Sequence, residues 1–336
     1  MASDFAQPQP RSPRAESRGA AFDVIALGEA LVDFLPRQTG AKVRDVDTWI
    51  KCLGGAPANV LVGVSRLGGK SAMCGVTGED EFGHFIAEEL GREGVDVTHL
   101  RFTTEGKTGI GFVSLTATGE RSFLFYRHQA AEFQLCLADI DHAFLASGKV
   151  LHLGTNSLLL PTAREASLAA SGAGKARGQI VSCDPNLRLH LWKEPAQLRA
   201  LLDQLFPNCA IVKLSDEEAE FVTSEKEPAR ALRALRAMGV VLPVVTQGPA
   251  GATALVQQTI VTVPAPKVTV VDTTGAGDGF MAGLLSELTK VAGTRDELAR
   301  VTPEQLEPIA RFACQVGSRV VTKLGAIAGL PRRDEL

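Results

Sequence analysis

Short, almost wholly apolar runs recur along the chain, each closing on a small or polar residue. They occupy residues 22–28 (FDVIALG), 71–76 (SAMCGV), 149–154 (KVLHLG), 179–184 (QIVSCD), 210–215 (AIVKLS) and 240–248 (VVLPVVTQG). Runs of this length without polar alternation are the profile of strands buried on both faces. Between them the period changes. Val60, Val64 and Leu67 recur at helical spacing before Gly68-Gly69; Phe82, Phe85, Ile86 and Leu90 do so in 80–94, and Leu232, Leu235 and Met238 in 227–239. Strands alternating with helices predict a three-layer α/β/α fold around a mostly parallel sheet.

Two stretches depart from that rhythm. Residues 35–53 alternate roughly between apolar and polar, and 107–127 read as a hairpin turning at Ala117-Thr118-Gly119-Glu120. Neither has a helical partner, so they are expected to pair into a small sheet outside the main body. The expected organisation is a disordered tail (1–20), an α/β domain (21–34, 54–105 and 129–332) and a β lid (35–53 and 106–128).

Composition removes several classes of function. The net charge of −3 supplies no general basic field for nucleic acid or an anionic membrane. No stretch reaches eighteen continuous apolar residues. The six cysteines are widely spaced without a C-x-x-C pair, and the six histidines form no ligand motif, so buried reduced thiols are expected and a structural zinc site is not. Residues 1–20 lack the apolar centre of a secretory signal. The closing RDEL is therefore read as coincidence and the protein as cytoplasmic, with organelle import through the tail left open.

One segment carries chemistry. Residues 271–284 read VDTTGAGDGFMAGL, with Val270-Val271 expected to end a strand and a helix expected to begin near Gly277. A helix start leaves N–H groups unpaired and carries partial positive charge, and Gly275-Ala276-Gly277 has almost no bulk to keep an anion from that backbone. A carboxylate beside an anion hole is explained if Asp278 takes the proton of a hydroxyl that attacks phosphorus. Asp272 would ligate a cation or lock the loop. An ordinary glycine-rich turn with an acid at a helix start would look similar, and no GK[ST] follows to make a Walker A loop.

The sequence as a whole resembles the ribokinase/PfkB family of carbohydrate kinases. DTTGAGD (272–278) resembles that family's carboxy-terminal signature and GGAPANVLVGVSRLG (54–68) its amino-terminal one, in the right order. The resemblance spans about 22–332 and is strongest to fructokinases, through GEALVDFLP (28–36), DPNLRLHLW (184–192) and the two signatures. It implies a ribokinase-like fold with a β lid, and sugar contacts at Asp33, Gly54, Gly55, Asn59 and Arg127. It also implies a nucleotide side built from Asn186, Arg188, Thr246, Gly248, Gly251 and Gly277. Glu218 would organise magnesium through water, although helix-start capping also suits it, and Asp272 with Thr274 would hold a monovalent cation. Four places depart from the common pattern: His128-Gln129, Glu132, Ser215 and Cys314, the last where relatives have Asn near adenine.

The expected reaction is transfer of the γ-phosphoryl group of ATP to O6 of a neutral ketohexose, D-fructose, with Mg2+ and a K+ activator. Asp278 would be the general base. Alternatives are 2-keto-3-deoxygluconate, ribose or a nucleoside as acceptor, and a non-catalytic assembly subunit. Arg127 alone would be a thin cationic contact for an acidic sugar, and 5% aromatic residues offer little stacking for a nucleoside. The resemblance further implies a homodimer formed through the lids, with no nucleic-acid or membrane partner.

Overall fold

The computed structural model describes residues 20–38, 40–115, 121–156, 158–192 and 194–336. Residues 1–19 and the expected turn at 117–120 lie outside the described residues, so the readings placed on them stay untested.

The chain opens with β1 (Phe22–Leu27), β2 (Leu31–Pro36) and β3 (Trp49–Gly54), then α1 (Ala56–Arg66), β4 (Ser71–Gly78), α2 (Glu81–Arg92) and β5 (Val95–Thr103). β6 (Ile110–Leu115) and β7 (Arg121–Tyr126) follow, then α3 (His142–Ala146), β8 (Gly148–Leu153), α4 (Pro161–Ala176), β9 (Ile180–Cys183) and α5 (Pro195–Leu205). Next come β10 (Ile211–Ser215), α6 (Asp216–Thr223), α7 (Pro228–Ala237), β11 (Leu242–Thr246), β12 (Ala252–Val256) and β13 (Thr259–Val263). The last helices are α8 (Ala276–Val291), α9 (Arg295–Arg300), α10 (Pro303–Val320) and α11 (Ala326–Gly329).

Nine strands form one sheet in the order β13-β12-β11-β10-β9-β8-β1-β4-β5. β11 through β5 run parallel, and the β12–β13 hairpin closes one edge antiparallel. All six apolar runs became strands of this sheet, because buried parallel strands need apolar residues on both faces. Two hydrophobic clusters pack on it, one containing Val60, Val64, Leu284 and Leu288, the other Ala166, Leu202 and Leu232.

The second sheet has the order β3-β2-β6-β7. β2–β3 and β6–β7 are antiparallel, whereas β2 and β6 run parallel. It begins at Leu31, earlier than the expected boundary at 35, so Asp33 lies inside a strand of the small sheet and not in the turn after β1. The hydrophobic pattern hid this boundary because VDF continues the apolar character of β1 after only a brief break at Gly28-Glu29.

The expected strand at 270–271 does not form. Residues 264–271 follow β13 outside both sheets, and Val270 and Val271 are 56% and 55% exposed. β13 already closes that edge, Pro264 and Pro266 have no N–H to give a ladder, and the Val271 and Asp272 N–H groups both donate to the Val321 carbonyl.

Candidate active site

β1, β8, β9, β10 and β11 are parallel neighbours, so their carboxyl ends and the loops leaving them face one way, as ligand sites in open α/β sheets do. A cleft of about 510 Å³ opens there, between those loops, the small sheet and the start of α8. It brings together Asp33, Gly55, Asn59, Arg127, Asn186, Arg188, Glu218, Thr246, Gly248, Thr274 and Gly275 to Asp278.

Gly275 caps α8 with φ +78, a left-handed conformation that suits glycine, and a Cβ there would meet Ala326. Asp278, in the first turn of α8, is 8% exposed and accepts a hydrogen bond from Asn59 Nδ2 at 2.8 Å. Asn59 lies in the first turn of α1, so the two separated sequence signatures meet at this contact. Burial, then the nearby Asp184 carboxylate, pushes the Asp278 pKa up to about 6, against the pull of Asn59, Lys213 and Arg188.

Asp33 is seated by glycines. A Cβ on Gly54 would come within 2.2 Å of one Asp33 carboxylate oxygen, and one on Gly111 within 2.6 Å of the other. Gly55 has φ +99 and turns the chain from β3 into α1. Burial raises the Asp33 pKa to about 7, opposed by Arg127 and reinforced by Asp278. Arg127 is 8% exposed. Its Nε donates to Glu132 Oε1 at 2.7 Å and a terminal nitrogen to the Asn156 carbonyl at 3.3 Å.

Residues of the cleft that were not assigned from the sequence include Glu29, Asp184, Lys213 and Asn156. Lys213 Nζ donates to Asp184 Oδ2 at 2.7 Å, with both side chains almost fully buried. A Cβ on Gly277 would come within 2.8 Å of that ammonium, which therefore lies against the mouth of α8. Burial works against the Lys213 charge, yet Asp184 and Glu218 more than offset it and hold its pKa above the ordinary lysine value. A lone lysine inside the apolar run AIVKLS was the available signal.

Glu218 takes the capping role. Its carboxylate accepts from Ser215 N at 2.8 Å and Leu187 N at 2.6 Å, while Ser215 Oγ accepts from Glu218 N. The reciprocal Ser215–Glu218 pair is a capping box, and the Leu187 contact ties α6 to the 184–188 loop. Among the described residues no cluster of His, Cys, Asp and Glu could hold a metal by itself. The donor set fits a magnesium that arrives on nucleotide phosphates with much of its water shell. Asp272 locks its loop: one oxygen accepts from Thr274 N and Oγ1, the other from Gly325 N at 2.8 Å. Those donors are neutral, so the oxygen-rich turn remains chemically suited to a hard monovalent ion.

An apolar cleft of about 560 Å³ adjoins the first and shares Thr246, Gly248, Thr273, Ala276 and Gly277 with it. Gly251, Phe280, Val321 and Cys314 line it. Gly248 and Gly251 both have positive φ, and a Cβ on Gly251 would collide with the Val263 carbonyl.

The pfkB family carbohydrate kinase model matches residues 21–333. Fructokinase-2 of Solanum lycopersicum is 37% identical over 313 residues, covering 93% of this chain and 94% of that protein. The crystal structure of fructokinase with bound ATP from Xylella fastidiosa superimposes with a TM-score of 0.84 at 30% identity, over 93% of this chain and 96% of that one. A double-mutant fructokinase from Vibrio cholerae O395, in fructose, ADP and potassium ion bound form, gives 0.81 at 34% identity over 94% and 97%. With both signatures meeting at one cleft and relatives matched over nearly their whole length, the chain belongs to the pfkB family and is an ATP-dependent carbohydrate kinase of ribokinase-like fold.

Proposed function

We propose that this kinase phosphorylates a neutral ketohexose, D-fructose, at O6. The observation that carries the phosphoryl transfer is the Asp278 carboxylate, buried at the mouth of α8, bonded to Asn59 and with its pKa raised to about 6, and the fructokinase relatives support the acceptor. A base of that pKa is ionised at neutral pH yet basic enough to take a hydroxyl proton as it is lost. O6 attacks the γ-phosphorus, its proton passes to Asp278, the bond to the β–γ bridging oxygen breaks, and ADP leaves. The N–H groups at Gly275–Gly277 face the charge on the transferring group. Asp33 and Asn59 orient sugar hydroxyls from the other side. The adjoining apolar cleft takes the nucleotide base, past Thr246 and between Gly251 and Cys314.

Glu218 would orient the water shell of magnesium, and Asp272 with Thr274 would hold potassium. Magnesium supplies neutralisation of the phosphate charge. One assay tests acceptor and ions together: ATP turnover against hexoses, pentoses, keto-deoxy acids and nucleosides, with each ion omitted in turn. Fructose is expected to give the highest kcat/KM, magnesium omission to abolish turnover, and potassium to support a higher rate than sodium. A higher kcat/KM with a nucleoside or keto-deoxy acid would replace the acceptor, and equal rates in both salts would remove the selective cation.

The small sheet supports a second part of the reading, a lid that joins two copies. Its described surface exposes Leu124 and Tyr126, the latter 63% accessible, on the face that carries a Trp49–Phe112–Tyr126 ring cluster. A small sheet with an uncovered apolar face is stabilised by a partner. Sedimentation at micromolar concentration is expected to give twice the 35.6 kDa chain mass. A particle of one chain mass at that concentration would refute the dimer.

A further inference from the structure

The acceptor end of the cleft carries more negative than positive charge. Asp33, Asp278 and Glu29 line it, against two guanidinium groups, Arg127 among them and Arg188, which acts on both aspartates. The Arg127 guanidinium is already engaged by Glu132, whose side chain is 1% exposed, and by the Asn156 carbonyl. Glu132 has little freedom to release it, because it is wedged against Gly109, where a Cβ would come within 2.2 Å of Oε1. Glu29 is also 1% exposed and lines the cleft, and its Oε2 has no hydrogen-bond partner. Burial raises the Glu29 pKa, partly opposed by Arg127.

We infer that Glu132, by neutralising Arg127 from behind, together with Glu29, makes this end of the cleft a charge filter that admits polyol sugars and rejects sugar carboxylates. Resting on the ketohexose reading, the inference assigns a specificity role to two residues the reaction itself does not use. A hydroxyl group can donate to a carboxylate oxygen on this wall. A carboxylate in the same place has no proton to donate, faces the Glu29, Asp33 and Asp278 carboxylates, and finds the Arg127 charge already paired with Glu132. Like-charge contacts of this kind exclude a competitor without adding attraction for the preferred ligand.

The test uses a matched pair, D-fructose and 2-keto-D-gluconate, which differ only in a hydroxymethyl against a carboxylate at C1. Glu132→Gln keeps an oxygen for Arg127 Nε while removing the charge. The ratio of kcat/KM for the acid to that for fructose is expected to rise at least tenfold in Glu132→Gln, and further in Glu29→Gln/Glu132→Gln. Calorimetric Kd values for the pair give the same ratio without turnover, and circular dichroism at matched temperature confirms that each variant is folded. If Glu132→Gln does not fold, Glu29→Gln alone supplies the ratio. An unchanged ratio in folded protein that still phosphorylates fructose overturns the filter and leaves the ketohexose reading standing. Absent fructose turnover with a shifted binding ratio does the reverse. Equal binding of acid and fructose by the unmodified protein overturns the filter outright.

Discussion

Asp278→Asn is expected to lower kcat by roughly 10²-fold or more, the scale of positioned acid–base catalysis, while leaving the fructose Kd within about threefold. The amide oxygen can still accept from Asn59 Nδ2, so the contact between α1 and α8 survives. The same substitution should stabilise the protein, and the sign follows from the raised pKa. A carboxyl with a pKa of about 6 in the fold and 3.8 as its ordinary value binds more protons folded than unfolded between those limits. Its ionisation therefore costs stability, not at all below about pH 4, increasingly through that window, and fully above about pH 6. Asn removes the cost, so Asp278→Asn should raise stability by about 1–3 kcal/mol at pH 8, with the gain vanishing toward pH 4. In the unmodified enzyme kcat/KM should fall as pH drops below about 6, in a titration shared with Asp33 because the two carboxylates interact. Near-normal turnover by Asp278→Asn would remove the general base from the mechanism. A stability gain as large at pH 4 as at pH 8 would show that the buried charge is not its origin.

Lys213→Met should reduce kcat/KM for ATP by about 10²–10³-fold, the range for losing one preorganised donor to a developing negative charge. The ammonium lies against Gly277 at the mouth of α8 and is held charged by Asp184. Removing it alone strands Asp184, and breaking a buried pair costs about 3–5 kcal/mol, so lost activity could reflect lost fold. Lys213→Met/Asp184→Asn separates the two, since it takes out both charges and should recover most of that stability without recovering activity. Lys213→Arg keeps the charge with a different shape and should fall between. Full activity in the folded double variant would reduce the pair to a structural tie between β9 and β10.

The hydrophobic pattern alone was enough for the main sheet. Runs such as FDVIALG and AIVKLS can be satisfied only where both faces are covered, so a local reading sufficed for six of its strands. Gly275-Ala276-Gly277-Asp278 was legible for a similar reason, because a bare backbone at a helix start is a local property. The 270–271 segment misled because two adjacent valines carry the same propensity whether or not a sheet edge is free, and β13 had taken that edge.

What the tertiary structure decided were the long-range pairings. Asn59 and Asp278 are distant in sequence and bond at 2.8 Å; Lys213 meets Asp184 across neighbouring strands; Glu132 turns back on Arg127. None of these follows from spacing, because each depends on where two elements pack. The raised pKa values of Asp33 and Asp278 arise the same way, from desolvation that exists only once the cleft has formed. Glu218 shows the converse: its sequence context allowed magnesium organisation or helix capping, and only the folded loop gave its two oxygens the Ser215 and Leu187 N–H groups as partners. The sequence by itself determined the α/β class, the glycine-bare start of α8 and the family, since each rests on local chemistry or on motifs read in order. The charge balance of the cleft was left to tertiary structure, because a carboxylate's strength and partners are set by neighbours that the chain order does not specify.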